Sequence, residues 1–575
     1  MKRKSILAGF LFTAAMTLSV MSFACTNFLF TKGATKDGST MITYAADSHT
    51  LYGELYYTRA AMYPAGTMIQ VIEWDTGKPL IKIPQAAQTY TTVGNMNEWG
   101  LTIGETTYGG REECWHQETG IDYGSLIYLT LQRTKTAREA IKQIADFMNE
   151  YGYVSEGESF SIADGDEVWI MELIGKGKGE KGAVWVARMI PDGYVSGHAN
   201  QARITQFPLE QKKNTTSVSY KNINKIFDKN ITTAYSDDVI TFARKKGWFN
   251  GKDAEFSFSD TYAPLTFSGV RGCEARVYAM FNRVNSNMKK YEDYVMGKTL
   301  GNANIERMPL WIKPDSKVSV KDVMELMRDY YQGTAMDMSQ DLGAGPFKCP
   351  YRWRPMTWEV DGQAYVHERA TSTQQTGFSF VAQTRSWMPS KAKGILWFGV
   401  DDTYTTVYTP MFGSIEKVPH CFEVGNGSMT QYSPTSAFWK FNQVSNWVYT
   451  RWIDMIKDLQ KVQNDLENSY INEVAQLDAK IKNMDDVAAM CDTLTAFSVA
   501  KGNQTFDAWS DLYNYLLVKY IDGNIKKEKD GKFQETGYRK GDCVFPDQPA
   551  YPDEWYRMII KDHGDVIKDL SPKTK

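Results

Sequence analysis

Cys25 restricts what this chain can become more than any other residue. It stands behind a leader-like start. Lys2, Arg3 and Lys4 are positive, Ile6 to Met21 is almost uncharged and apolar, and Ser22-Phe23-Ala24 puts small residues at −3 and −1 of a cleavage point. Removing residues 1–24 would leave 551 residues beginning at Cys25, with the net charge moved from −3 to −6 because three cations leave with the leader. Whatever fold follows must then hold a chain end in place.

Two chemistries compete at that end. As the first residue of a bacterial lipobox, Cys25 would be acylated on sulfur and nitrogen and would tether the protein. Lipoboxes usually carry an aliphatic residue at −3, whereas here Ser22 stands there and Phe23 follows. After ordinary cleavage, Cys25 would instead carry a free thiol and a free α-amine. Their unperturbed pKa values of about 8.5 and about 7.7 to 8.0 let the amine take the thiol proton near neutrality. Such a residue brings its own general base, as an N-terminal threonine does. The two fates exclude each other.

Composition narrows the partners. Sixty-five Lys plus Arg against 68 Asp plus Glu offer no broad basic surface, so a nucleic acid or anionic lipid partner is not expected. With 42% hydrophobic and 13% aromatic residues the chain can build a large core. No later apolar run reaches the roughly 18 residues of a membrane span. Six scattered His (49, 116, 198, 367, 420 and 563) have no metal-ligand spacing, and H-E-x-x-H, G-x-S-x-G and Walker A motifs are absent, so neither metal nor cofactor is expected. The other six Cys allow three disulfides in fifteen connectivities, but a core of this size does not need them.

The patterning predicts an α+β fold. Short β-branched and aromatic runs (Thr26 to Phe30, Thr40 to Ala45, Met68 to Trp74, Tyr90 to Val93, Leu101 to Tyr108) are separated by Gly, Asp and Pro. Thr136 and Glu139 form a capping box, and Ala140, Ile141, Ile144, Phe147 and Met148 recur at helical spacing until Gly152. Strands are expected again at Glu167 to Ile174 and Ala183 to Ile190. The loop between them contains a formal G-x-G-x-x-G from Gly177 to Gly182, but a strand follows it where a dinucleotide site needs a helix, so it reads as a hairpin tip. A helix should open at Ser319 with Val320, Val323, Met324, Met327 and Tyr331 on one face, and strands at Phe378 to Gln383 and Ile395 to Val400 should follow. Ser436 to Ile481 predicts one or two long amphipathic helices. Met484 to Ala500 and Phe506 to Tyr520 predict two more.

Segments spread along the chain carry a resemblance. They include Cys25-Thr26 at the cleavage point, Gly94-Asn-Met-Asn-Glu-Trp-Gly-Leu-Thr-Ile-Gly-Glu-Thr-Thr107 and Ser196-Gly-His-Ala-Asn-Gln-Ala-Arg203. Met308-Pro-Leu-Trp-Ile-Lys-Pro-Asp315, Met327-Arg-Asp-Tyr-Tyr-Gln-Gly-Thr334, Ala382-Gln-Thr-Arg-Ser-Trp-Met-Pro389, Leu396-Trp-Phe-Gly-Val-Asp-Asp402 and Lys519-Tyr-Ile-Asp-Gly523 belong with them. Together they resemble the dipeptidase A and secernin family of cysteine dipeptidases. The resemblance implies an N-terminal nucleophile hydrolase: two antiparallel sheets between helical layers, an αββα sandwich. It also implies a catalytic Cys25, a signal peptide at 1–24, a catalytic domain at 25–425 and a mainly helical C-terminal region at 426–575 packed upon it.

It further suggests roles. Related acylases hold an aspartate about twenty residues after the cysteine, and Asp47 occupies that place; a turn carboxylate is the plainer alternative. Those enzymes often carry an arginine three residues earlier, where this chain has Tyr44. Asn200 would stabilise the oxyanion, with a second donor near Glu105 and Thr106. Arg276 resembles a late active-site arginine, or forms a structural ion pair. Glu105 would meet a substrate ammonium, Arg276 a substrate carboxylate, and His198 would line the pocket. The expected activity is an exported dipeptidase, periplasmic or extracellular, acting on dipeptides or short peptides, and a homo-oligomer is compatible with it. The alternatives are an acyl-amide hydrolase of the choloylglycine or penicillin acylase type, and a lipid-anchored protein that binds peptide or glycan.

Overall fold

The computed structural model describes residues 25–115, 117–302, 306–534 and 544–572; the expected leader, His116 and Cys543 lie outside them. Six strands build the site: β1 (Asn27–Phe30), β2 (Thr40–Asp47), β3 (Thr102–Gly109), β4 (Gly157–Ala163), β5 (Val195–His198) and β6 (Thr376–Thr384). β5, β1, β2 and β6 lie side by side in an antiparallel seven-stranded sheet. β3 and β4 are neighbours in a nine-stranded sheet, with Glu105 opposite Phe160. The sheets face each other, β2 lying against β3 and β4. Every residue of β2, β4 and β6 is buried, as strands covered on both faces require. The approach is closest at Gly104 in β3, where a Cβ would stand 2.7 Å from Asn27 Nδ2 on the other sheet.

Helices cover the rest. α1 (Tyr123–Leu131) packs on β3 and α2 (Ala137–Tyr151) on β4. α2 starts with the expected capping box of Thr136 and Glu139 and buries Ile141, Ile144 and Met148. α3 (Ala275–Val284) packs against β5. α4 (Ala437–Tyr449), α5 (Trp452–Ile481) and α6 (Val487–Tyr520) lie on the last two strands of the seven-stranded sheet, Gly394–Val400 and Thr409–Phe412. The loop from Gly175 to Gly182 is a hairpin tip between antiparallel strands, as expected.

Two helix expectations need correction. The region Met484 to Tyr520, read as two helices, contains a single helix of 34 residues, α6. Gly502, inside this helix, faces Pro419 so closely that a Cβ would stand 2.3 Å from its Cγ. The glycine lets the helix dock there, and this packing outweighs its low helix propensity of about 1 kcal/mol. The helix after Ser319 ends at Leu326, before Tyr331. Asp329 Oδ1 accepts from the Tyr331 amide at 2.8 Å, and Tyr331 takes a positive φ of 68°, turning the chain away. The six described cysteines form no disulfide. No helix among the described residues is long and apolar enough to cross a membrane.

Candidate active site

Strand pairing, rather than sequence proximity, puts Cys25 beside its neighbours. Thr26 and Ala45 exchange backbone hydrogen bonds of 3.2 and 3.0 Å, so the end of β2 runs back past the start of β1 and Asp47 arrives next to Cys25. The buried Cys25 Sγ lies 3.6 Å from the Tyr44 hydroxyl and 3.5 Å from Glu105 Oε1, and Tyr44 donates a short hydrogen bond to that same oxygen. A small cavity of about 40 Å³ opens on Cys25, Tyr44, Asp47, Asn95, Glu105 and Phe378. It shares Asp75 and Tyr123 with a wider cleft of about 850 Å³ that is also lined by Asn200, Gln201 and Cys273.

Arg276, on the first turn of α3, organises this centre. Its Nη1 donates to the Cys25 carbonyl at 2.6 Å and to Thr26 Oγ1 at 2.8 Å. Nη2 donates to Asn200 Oδ1 at 2.8 Å and to the Ala199 carbonyl at 3.2 Å, and Nε donates to the Gly272 carbonyl at 2.7 Å. All five guanidinium N–H groups are thereby committed. The expected Arg276 therefore lies beside Cys25 and holds it together with Asn200. It lines neither cavity and has no donor left for a substrate carboxylate, which corrects that part of the reading. Asn200 has φ 58°, a conformation asparagine tolerates, and its Nδ2 donates to the Thr107 carbonyl at 2.6 Å.

The arginine missing at Tyr44 is supplied from far away. Arg369 donates a short hydrogen bond to Asp47 Oδ2, and Thr376 Oγ1 donates to Oδ1 at 2.6 Å. Asp47 is thus a paired, buried carboxylate rather than a turn cap. Burial pushes its pKa up, against the pull of Arg369 and Thr376.

Glu105 is the least satisfied group here. Its Oε2 and the Oε1 of Glu158, on neighbouring β4, have no hydrogen-bond donor among the described residues, although both side chains are buried. Burial raises both carboxyls, Glu158 well above the usual range, and the two interact directly. Burial, then Glu105, then Asp47 hold the Cys25 thiol well above its ordinary pKa, so it rests protonated.

Thr106 and His198 stand elsewhere than expected. His198 is fully buried between the sheets, its Nδ1 2.7 Å from Thr106 Oγ1 and its Nε2 2.7 Å from Ser161 Oγ. Burial pushes its pKa down to about 3, so the ring is a neutral bridge. Neither residue lines a cavity, because both point into the inter-sheet layer. The backbone N–H of Glu105, a candidate second oxyanion donor, is also occupied. With the Asn27 amide oriented to satisfy both its ends, its oxygen accepts from Glu105 N at 2.9 Å and its nitrogen donates to Glu105 O at 3.0 Å.

Tyr44, Asn27, Glu158, Arg369 and Thr376 were missed as site residues. Asn27 could have been found, since it lies two residues after Cys25 and so shares its face of the strand. Glu158 is visible only once Thr107 is known to lie opposite it. Arg369 has no local signal at all. No cluster of His, Cys, Asp and Glu among the described residues could hold a metal ion.

Comparison with known proteins identifies the family. The model of "Peptidase family C69" matches residues 24–465, a span that starts at the expected cleavage point. The chain is 23% identical over 541 residues to "Probable dipeptidase B" of Streptococcus pyogenes serotype M1, covering 90% of this chain and 95% of that protein. It is 22% identical over 526 residues to "Probable dipeptidase" of Latilactobacillus sakei (88% and 97% covered) and 23% over 447 residues to "Dipeptidase" of Bifidobacterium longum (72% and 75%). A match spanning Cys25, Asp47, Asn200 and Arg276 alike places the chain in peptidase family C69.

Proposed function

We propose that the protein is an exported cysteine dipeptidase whose nucleophile, Cys25, becomes the chain's first residue when 1–24 are removed. The observation that carries this reading is the buried Cys25 Sγ facing a cavity beside Glu105, Tyr44 and Asp47, at the head of a strand held by Arg276. The names of the C69 relatives supply the substrate class. The fold is read as the N-terminal nucleophile hydrolase sandwich, with 25–425 as its catalytic domain and 426–575 as a helical layer upon it.

The Cys25 amine takes the thiol proton, and sulfur attacks the scissile carbonyl. Asn200 Nδ2 exchanges Thr107 O for the oxyanion. The protonated amine passes its proton to the departing amino acid as the C–N bond breaks. Water, deprotonated by the same amine, then hydrolyses the thioester and restores the thiol. Asp47, neutralised by Arg369, steadies the charge on the amine without competing for it.

Intact mass and N-terminal sequencing of protein secreted by its host test the first half, and turnover of a dipeptide panel by wild type and Cys25→Ser tests the second. A free Cys25 end and loss of turnover in the variant are expected. A lipid-capped Cys25, an attached leader in fully active protein, or full activity of the variant would overturn the reading. Hydrolysis of conjugated bile salts in preference to dipeptides would point to an acyl-amide hydrolase.

A further inference from the structure

We infer that Trp74, on the turn of a hairpin, is the wall that limits the size of the substrate's first residue, so that a small aliphatic side chain is preferred there to a ring. This rests on the peptidase reading and adds side-chain selectivity to it.

The reaction dictates which half of the substrate comes to this wall. Sulfur keeps the acyl part, and in a dipeptide that part is one residue, while the second residue departs. Two spaces meet near Cys25. The one that opens on the thiol is the small cavity of about 40 Å³, and the one that holds Asn200 is the cleft of about 850 Å³. A single retained residue matches the small space, and a departing one matches the large. A dry cavity of about 150 Å³ takes a benzene ring. At about 40 Å³ the space beside Cys25 has room for a small aliphatic side chain and for no ring.

Its apolar walls are Ala46, Leu51, Trp74, Ile127, Tyr128 and Phe378. Ala46, Ile127 and Phe378 are buried whereas Trp74 is half-buried, so Trp74 closes the cavity on its solvent side. It lies between the paired strands Met68–Ile72 and Pro79–Pro84, its ring stacked on Tyr128 at 4.6 Å and edge-on to Tyr56 at 4.8 Å. Ring contacts continue from Tyr56 to Phe378 at 6.3 Å and from Phe378 to Tyr44 at 5.7 Å. The Tyr44 hydroxyl in turn lies 3.6 Å from Cys25 Sγ, so the aromatic wall runs unbroken to the nucleophile.

The wall is held so that it does not yield. Asp122, which caps α1, accepts from the Trp74 amide at 3.1 Å and from the Ser125 amide at 3.2 Å through one carboxylate oxygen. The Tyr123 hydroxyl donates to Asp75 Oδ1 at 3.0 Å, and Ser125 Oγ donates to the Ile72 carbonyl at 2.9 Å. Gly124 leaves the space in which the Trp74 side chain sits, since a Cβ there would stand 2.5 Å from Trp74 Cβ and Cγ. Glycine inside a helix weakens it, and this seat is the reason for one in α1. Four consecutive residues at the start of α1 thus fix the hairpin tip, and with it the limit that Trp74 sets.

The test uses the trimmed full-length enzyme and two dipeptide series, X-Ala and Ala-X, with Ala, Val, Leu, Phe and Trp as X. In wild type, kcat/KM should fall at least about 30-fold from Ala-Ala to Phe-Ala and Trp-Ala, and less than about fivefold across Ala-X. Trp74→Ala should raise the ratio of kcat/KM for Phe-Ala over Ala-Ala at least about tenfold. Trp74→Leu, which keeps an apolar side chain on Tyr128, should raise it at least about threefold, and it decides if the alanine variant fails to fold, which thermal melting would reveal. A smaller fall across X-Ala in wild type, a size penalty that falls on Ala-X instead, or a smaller rise in the folded variants would each overturn the inference. Hydrolysis of neither series would instead overturn the peptidase reading, and this inference with it.

Discussion

Glu105 and Glu467 are both buried glutamates, and the structure treats them in opposite ways. Glu467, on α5, accepts from Lys321 Nζ at 2.6 Å and from the Tyr408 amide at 3.0 Å, and forms a buried ion pair with Arg328. Glu105 has one hydroxyl donor, a thiol neighbour, a second glutamate beside it and an oxygen with no donor. A buried polar group that serves architecture is supplied with partners, because an unmade hydrogen bond costs about 1–3 kcal/mol. Glu105 is left wanting one, and the rest of the fold must carry that cost. The contrast sets an underpaired carboxylate against a fully paired one, both buried.

The contrast can be broken at four points. Cys25→Ala should lower dipeptide kcat by at least about 10⁴-fold, equivalent to about 5 kcal/mol of barrier, while leaving the melting temperature nearly unchanged. Turnover and a melt on one sample check this. A large loss of stability would mean that Cys25 is architecture too. Glu467→Ala should do the reverse. It takes the buried partner from Arg328, which keeps only the half-exposed Glu325 as a counter-charge, and should cost about 3–5 kcal/mol in denaturant unfolding, with KM unchanged in the folded fraction.

Asp401 sharpens the scaffold side. Burial pushes its pKa from 3.8 up to about 7, with Ser445 and Asn442 donating to it. Because the folded state then binds the proton more tightly than the unfolded state, this stabilisation is complete below about pH 4 and is lost as pH rises through about 7. Asp401→Asn keeps the shape and tolerates the positive φ of 66°. It should flatten the fall of unfolding free energy between pH 4 and 8 by about 1–3 kcal/mol. An unaltered pH profile would show that Asp401 is ionised in the native protein.

The smallest effect is expected at Thr106. Thr106→Val removes a partner of His198 and should cost about 1–2 kcal/mol of stability with kcat/KM within about threefold of wild type. A selective rise in KM would restore Thr106 to substrate binding.

Local pattern made much of this molecule legible. The capping box of α2, the strands flanking the Gly175–Gly182 hairpin and the long C-terminal helices all follow from periodicity or turn chemistry, which act over a few residues. Readings failed at two places: Gly502 makes room inside α6 for the distant Pro419, and Asp329, only two residues before Tyr331, accepts from its amide where the chain turns. At the site, Cys25, Asp47, Asn200, Arg276 and Glu105 were all named in advance, yet their partners were not. His198 lies two residues from Asn200 but faces the inter-sheet layer, because β5 ends at His198 and the chain turns at Asn200, which takes a positive φ of 58°.

Reading along the chain alone yields a leader-like start, a cysteine placed to become a chain end, and an α+β alternation, because charge, side-chain size and hydrophobic period are properties of neighbouring residues. Which groups meet that cysteine was settled only by folding. Tyr44 and Glu105 come from different sheets, and Arg369 reaches Asp47 across 322 positions. Such meetings depend on strand register and sheet stacking, which are fixed when long loops close and which no short stretch of sequence encodes.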